Sequence, residues 1–360
     1  MDGVSFRIFD ANLNRAREAL RVMEEFARLG LQDVTLSREI KELRHDLREA
    51  IPETLCLHLI EFRNIAEDVG TRMTTEAEQK RNGVEEVAVA AGKRLSEALR
   101  ALEEYGKTLD PSIAAKVKAL RYRGYEIEQR LVCISSAIRK FGEVRLYVLI
   151  TESVCRGDWF AAAEAALDGG ADVLQLREKH LPDSELFRRA VRLSQLCRDR
   201  GKLFILNDRA DIAALSHAHG VHLGQDDLPV AAARKILPPG SIVGVSTHSI
   251  DQAISVAKAC PDYLAVGPMF ETETKPQNRI AGPETLRAVR AITSLPLVAI
   301  GGIQEFNADA VLFAAPCCLA VCSAVVAAQN VRAAMERIRA LLISHATSLH
   351  REKQIDSQLR

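Results

Sequence analysis

From residue 145 onward, short runs of β-branched and apolar residues alternate with helical stretches, and this alternation restricts the fold more than any other feature of the chain. Candidate strands lie at 145–150, 173–177, 203–206, 220–223, 242–246, 263–266, 297–300 and 319–322. Amphipathic segments such as 182–200, 250–259, 283–292 and 331–342 separate them. Strands alternating with helices signal parallel βαβ units, because a parallel neighbour is reached only through a crossover. About eight units over roughly 200 residues suit a closed (β/α)8 TIM barrel better than an open doubly wound sheet. No GxGxxG follows the first strand, which weakens the dinucleotide-binding alternative. The expected fold class is α/β.

Before residue 140 the pattern is helical and contains an internal repeat. Glu18-Ala19-Leu20-Arg21-Val22-Met23-Glu24-Glu25-Phe26 recurs as Glu97-Ala98-Leu99-Arg100-Ala101-Leu102-Glu103-Glu104-Tyr105, an offset of 79 (97 − 18). A second helix follows each copy, Lys41-Glu42-Leu43-Arg44 and Lys118-Ala119-Leu120-Arg121, at an offset of 77 (118 − 41). Duplicated helical hairpins of this kind form an all-α domain, read either as a scaffold or as an assembly or partner-binding module. Leu13, Leu20 and Met23, with Leu95, Leu99 and Leu102, make the buried stripes. Arg21 with Glu25, and Arg100 with Glu104, can pair at i,i+4 on the outside. The turn-rich stretch from Asn64 to Arg72 is a candidate functional loop. The expected domains are a helical domain at 1–140, the barrel at 141–343 and a mobile polar tail at 344–360.

A chain of 360 residues is long enough for two cores. Its 48 Lys and Arg equal its 48 Asp and Glu, so no global field favours nucleic acid or an acidic membrane surface. Any anion site must be local. The eight cysteines show no CxxC, no apolar run reaches the length of a membrane span, and the first residues lack a signal pattern. A reducing cytoplasm is the expected location.

In a barrel the chemistry sits on the loops that follow the strands, so those loops are read together. Gln175-Leu176-Arg177-Glu178-Lys179 closes the second strand, and alternation sends Gln175, Arg177 and Lys179 to one face and Leu176 and Glu178 to the other. An amide and two cations on one face make an anion receptor; the bland alternative is a solvated charged loop. Asn207-Asp208 follows the third strand and Gly224-Gln225-Asp226-Asp227 the fourth. Ser246-Thr247-His248, the segment from Gly267 to Lys275, Ile300-Gly301-Gly302 and Cys322-Ser323 follow the rest. Carboxylates from neighbouring strands suit Mg²⁺, which takes one or two carboxylates plus phosphate oxygens. Arg177, Lys179 and Lys275 would hold the remainder of a polyphosphate. The glycines and Ser323 occupy the place where barrels seat a second phosphate on backbone N–H groups.

Single members admit other roles. Asp208 could cap the following helix. His222, inside a strand, reads more as a hydrogen-bonded core histidine than as a base. His248 lies past a strand end, within reach of a substrate. Gly301-Gly302 could merely turn the chain.

These strand ends, in this order, resemble the thiamine-phosphate synthase (thiamine-phosphate pyrophosphorylase) family over 144–342, and the helical repeat resembles an extension on some of its members. The resemblance implies a transferase that couples 4-amino-2-methyl-5-(diphosphooxymethyl)pyrimidine to 4-methyl-5-(2-phosphooxyethyl)thiazole with release of diphosphate. It implies pyrimidine diphosphate binding by the stretch Gln175, Leu176, Arg177, Glu178, Lys179, and by Asn207, Ser246 and Lys275. Asp208 and Asp227 would ligate Mg²⁺. Thr272, Glu273, Thr274, Gly302, Cys322 and Ser323 would hold the thiazole phosphate, and no residue acts as a nucleophile. The partners implied are two small phosphorylated heterocycles, with no nucleic acid and no membrane; a homo-oligomer stays open. The chain departs from the family at Ala315-Pro316-Cys317-Cys318, where many relatives carry Gly-Ala-Asp-Gly, and at Cys322, where they carry an aliphatic residue. The rival readings are a TenI-like thiazole tautomerase or regulator, and a partner-binding helical protein with an inert barrel.

Overall fold

The computed structural model describes residues 3–64, 81–272 and 280–358, with side chains to residue 348. Its contacts divide the chain into two compact units, Met1–Ser135 with Ile292–Ser294, and Ser136–Ala291 with Leu295–Arg360.

The first unit is built from α1 (Gly3–Glu25), α2 (Val34–Ala50), α3 (Glu53–Glu61), α4 (Val84–Leu109) and the greater part of α5 (Pro111–Phe141). On α1 the residues Phe9, Leu13, Ala16, Leu20 and Met23 are buried at three- and four-residue spacing, and on α4 so are Ala88, Ala91, Leu95, Leu99 and Leu102. These stripes pack α1 against α4. The outward i,i+4 pairs form as the spacing predicts, Arg21–Glu25 at 2.9 Å and Arg100–Glu104 at 2.8 Å. Two inward ion pairs, Glu24–Arg44 at 3.0 Å and Glu103–Arg121 at 2.7 Å, join α1 to α2 and α4 to α5. Of the loop from Asn64 to Arg72, only Asn64 falls among the described residues.

The second unit is a closed barrel in the order β1 (Leu146–Ile150), β2 (Val173–Leu176), β3 (Leu203–Asn207), β4 (Gly220–Leu223), β5 (Ile242–Thr247), β6 (Tyr263–Val266), β7 (Leu297–Ile300) and β8 (Cys318–Val321). Every neighbouring pair is parallel, and β1 pairs with β8 to close the cylinder. Closure removes both sheet edges, and helices after the strands cover the outside. The inward residues run with period two from the floor to the rim. On β1 they are Tyr147 and Leu149, on β6 Tyr263 and Ala265, on β8 Cys318 and Ala320. Gly244 on β5 is required by this packing, because a Cβ there would enter the ring of Tyr263.

The division between the two units falls at Ser135/Ser136, a few residues before the expected start of the barrel at 141. Phe141, inside the expected barrel, belongs to its core: it is 1% exposed and stacks on Tyr263 at 4.3 Å. An aromatic ring at a helix end stoppers the floor of the cylinder, so the helical texture runs past the point where barrel packing begins. Residues 344–358, within the segment expected as a mobile polar tail, continue the last helix, Val331–Gln358. Beyond Leu342 the apolar stripe ends but no Gly or Pro interrupts, and Thr347 and Ser348 return their hydroxyls to Ile343 O and Ser344 O at 2.9 and 3.1 Å.

Phe141→Ala should lower the stability of the barrel by about 3–5 kcal/mol, the usual cost of emptying an aromatic core position. Denaturant unfolding reads it, and an unshifted midpoint would contradict the stopper role.

Candidate active site

The carboxyl ends of the strands surround a cavity of about 1030 Å³, open mouth included. Because the inward positions alternate, each strand sends its next inward residue into it. β2 contributes Gln175, Arg177 and Lys179; β3 contributes Asn207 and Asp208; β4 contributes His222, Gly224 and Asp227; β5 contributes Ser246 and His248. From the last three strands come Gly267, Pro268, Thr272, Gly301, Gly302, Cys322 and Ser323.

The structure separates members of the stretch that the resemblance took whole. Leu176 is fully buried and Glu178 turns away from the cavity, accepting Glu152 N–H at 2.6 Å beside Arg189. Both face outward because strand alternation leaves only every second residue for the inside. Asp226 is exposed and outside the lining, whereas its neighbour Asp227 is in it. Glu273, Thr274 and Lys275 lie outside the described residues.

Asp208 does not cap the next helix, Ala210–Leu215, whose cap is Arg209. Its φ of 62° is a left-handed conformation that Asp tolerates better than most residues, and it brings the carboxylate into the cavity. There Asp208 meets Lys179 Nζ at 3.4 Å. Burial pushes the Asp208 carboxyl above its ordinary range, the adjacent Asp227 pushes it further, and Lys179 pulls it back. Asp227 is held from behind by Gly224 N–H at 2.6 Å. Two carboxylates drawn together in a half-buried pocket fit a divalent cation, which would relieve their repulsion. Among the described residues no group of three or more His, Cys, Asp or Glu could hold a metal.

On the opposite wall Gly301 and Gly302 have φ of +99° and +67°. A Cβ on Gly302 would collide with Glu271 O and Phe270. Only glycine therefore lets the β6 and β7 loops approach each other beside Ser323. Burial pushes the Cys322 thiol up to about 12, which keeps it neutral and unreactive at neutral pH.

His222 and His248 both line the cavity with committed rings. His222 lies between Tyr263 Oη at 3.0 Å and Ser246 Oγ at 2.8 Å, and His248 Nδ1 lies 2.6 Å from Gly267 O. The structure adds Tyr147 and Tyr263 on the floor, and Thr151, whose hydroxyl donates to Arg177 O at 2.9 Å. A tyrosine in mid-strand needs a buried partner for its hydroxyl, and that was the available signal.

A family described as Thiamine monophosphate synthase matches residues 146–325, and the ThiD2 family matches residues 7–130. A thiamine-phosphate synthase of Rhodopirellula baltica is 41% identical over 317 residues, covering 85% of this chain and 84% of the relative. One of Synechocystis sp. is 39% identical over 324 residues, covering 90% and 92%. Among solved structures, thiamine phosphate pyrophosphorylase from Pyrococcus furiosus is 36% identical with a TM-score of 0.53, covering 56% of this chain and 96% of that one.

Gly302→Ala should cost about 1–3 kcal/mol, through its left-handed backbone and the collision with the β6 loop. Thermal unfolding measures it, and a neutral result would mean that the two loops are not in contact.

Proposed function

The chain belongs to the thiamine-phosphate synthase family, and from that premise we propose that its barrel condenses 4-amino-2-methyl-5-(diphosphooxymethyl)pyrimidine with 4-methyl-5-(2-phosphooxyethyl)thiazole, giving thiamine phosphate and diphosphate. The observation that carries the proposal is the meeting of Asp208, Asp227 and Lys179 in one cavity, with Arg177 on the same wall. A tautomerase sharing the barrel would have no need of a carboxylate pair facing cations.

Arg177 and Lys179 bind the diphosphate, and Asp208 and Asp227 are the residues that would hold Mg²⁺. When bound, the metal neutralises charge on the leaving diphosphate. Arg177 and Lys179 add fixed positive charge where negative charge develops, with no reorganisation at the moment of reaction. Electron donation from the 4-aminopyrimidine stabilises positive charge at its exocyclic carbon as the C–O bond breaks. Gln175, Asn207 and Ser246 orient that ring. Gly302, Ser323 and Thr272 hold the thiazole phosphate, which brings the ring nitrogen to the electron-poor carbon. No side chain needs to attack, in keeping with a neutral Cys322. A reducing cytoplasm is the proposed location; among the described residues no helix is long and apolar enough to cross a membrane.

Thiamine phosphate formed from the two purified substrates should depend on Mg²⁺, and Asp208→Asn or Asp227→Asn should each lower kcat by about 10²-fold or more. Full turnover in both variants would refute the metal assignment. A chain beginning at Ser136, which keeps Phe141 in the floor, should retain most of the turnover, since each site residue lies beyond the cut. Loss of activity from a folded truncated barrel would assign catalytic work to the helical unit.

A further inference from the structure

Beneath the charged rim, five side chains from five strands form one unbroken line of hydrogen bonds across the barrel. Gln175 Nε2 donates to Tyr147 Oη at 2.7 Å, Tyr147 Oη lies 2.9 Å from Tyr263 Oη, Tyr263 Oη lies 3.0 Å from His222 Nδ1, and His222 Nε2 lies 2.8 Å from Ser246 Oγ. Both tyrosine side chains are at most 1% exposed, so every hydroxyl hydrogen must be spent inside the line.

That condition sets the direction of the line. An amide nitrogen can only donate, so Tyr147 oxygen accepts from Gln175 and its own hydrogen must go to Tyr263. Tyr263 then donates to Nδ1 of His222, which leaves the imidazole proton on Nε2, pointing at Ser246 oxygen. The reverse order would give Tyr147 oxygen two hydrogens and leave its own hydrogen buried without an acceptor, the costlier arrangement. With the direction set, the two ends of the line are set as well. Gln175 keeps its Oε1 for the cavity as an acceptor, and Ser246 keeps its hydroxyl hydrogen for the cavity as a donor.

We infer that Tyr147, Tyr263 and His222 are positioning residues that polarise the floor of the pyrimidine site, making Gln175 an acceptor and Ser246 a donor toward the bound aminopyrimidine diphosphate. The inference rests on the function proposed above. An exocyclic amine matches the acceptor, and a ring nitrogen or diphosphate oxygen matches the donor. A substrate with a carbonyl in place of the amine would face Gln175 oxygen to oxygen and be rejected. Packing supports the same arrangement: Tyr263 is clamped between Phe141 at 4.3 Å and His222 at 5.7 Å, both rings nearly parallel to it, over a glycine that no other residue could replace.

Tyr263→Phe keeps the stacked ring and removes only the hydroxyl. His222 Nδ1 then loses its donor, the imidazole can take its proton there, and Ser246 is free to turn its hydrogen inward to Nε2. In calorimetry the Kd for 4-amino-2-methyl-5-(diphosphooxymethyl)pyrimidine should rise about tenfold while that for the thiazole phosphate stays put. Ser246→Ala should weaken the same ligand, and the loss in the double variant should fall short of the sum of the two single losses, because Tyr263 acts in part through the Ser246 hydrogen. In ¹⁵N-histidine NMR, the His222 signal, assigned by its absence in His222→Gln, should show the proton on Nε2 in the parent protein. It should shift toward the other tautomer in Tyr263→Phe. A proton on Nδ1 in the parent, or strictly additive losses in the double variant, would overturn the inference. The tautomer is read without turnover, so a parent protein that bound the pyrimidine yet formed no thiamine phosphate would sink the proposed reaction and leave the floor's polarity intact.

Discussion

Two carboxylates do not approach one another in a half-buried pocket unless something offsets their repulsion, and at the rim of this barrel Lys179 offsets only part of it. The rest of the site is arranged around that unbalanced charge. Asp208 adopts a left-handed backbone to reach it, and Asp227 is pinned from behind by the Gly224 amide. These are fixed conformational costs incurred at folding. In the proposed reaction a cation and an anionic leaving group would find their partners already in place, which is how electrostatic stabilisation gains its size.

The barrel beneath supplies what a flexible surface could not. Parallel register makes every second residue on each strand point inward, so a charged upper layer sits directly on a polar middle layer and an aromatic floor. Each layer is tied to the next: Gln175 and Ser246 belong to the cavity above and the tyrosine line below. A shift of β2 or β5 would break both at once. Such mutual dependence holds reacting groups within the small tolerances that positioning requires.

Much of this could be read from the amino acids, because the period of the apolar pattern and the order of the strand ends carry it. Strands 220–223, 263–266 and 297–300 stand as expected, and the others are within a residue or so at either end. Gln175, Arg177, Lys179, Asn207, Asp208, Asp227 and Ser246 converge on one cavity. Other features were hidden for physical reasons. Leu176 and Glu178 lie within the most telling stretch of the chain, yet alternation turns them outward. Phe141 looks like the last residue of a helix, and only the closed cylinder shows what its ring fills. Tyr147 and Tyr263 are 116 residues apart, so nothing local reveals that their hydroxyls share a hydrogen bond.

The central claim is that Asp208 and Asp227 would together hold the divalent cation that serves the proposed release of diphosphate. It is tested most directly by replacing Mg²⁺ with Mn²⁺ and following the ³¹P relaxation of protein-bound diphosphate. Strong paramagnetic broadening that is lost in both Asp208→Asn and Asp227→Asn is the predicted result. Diphosphate that binds as tightly without metal, or broadening indifferent to both aspartates, would contradict it.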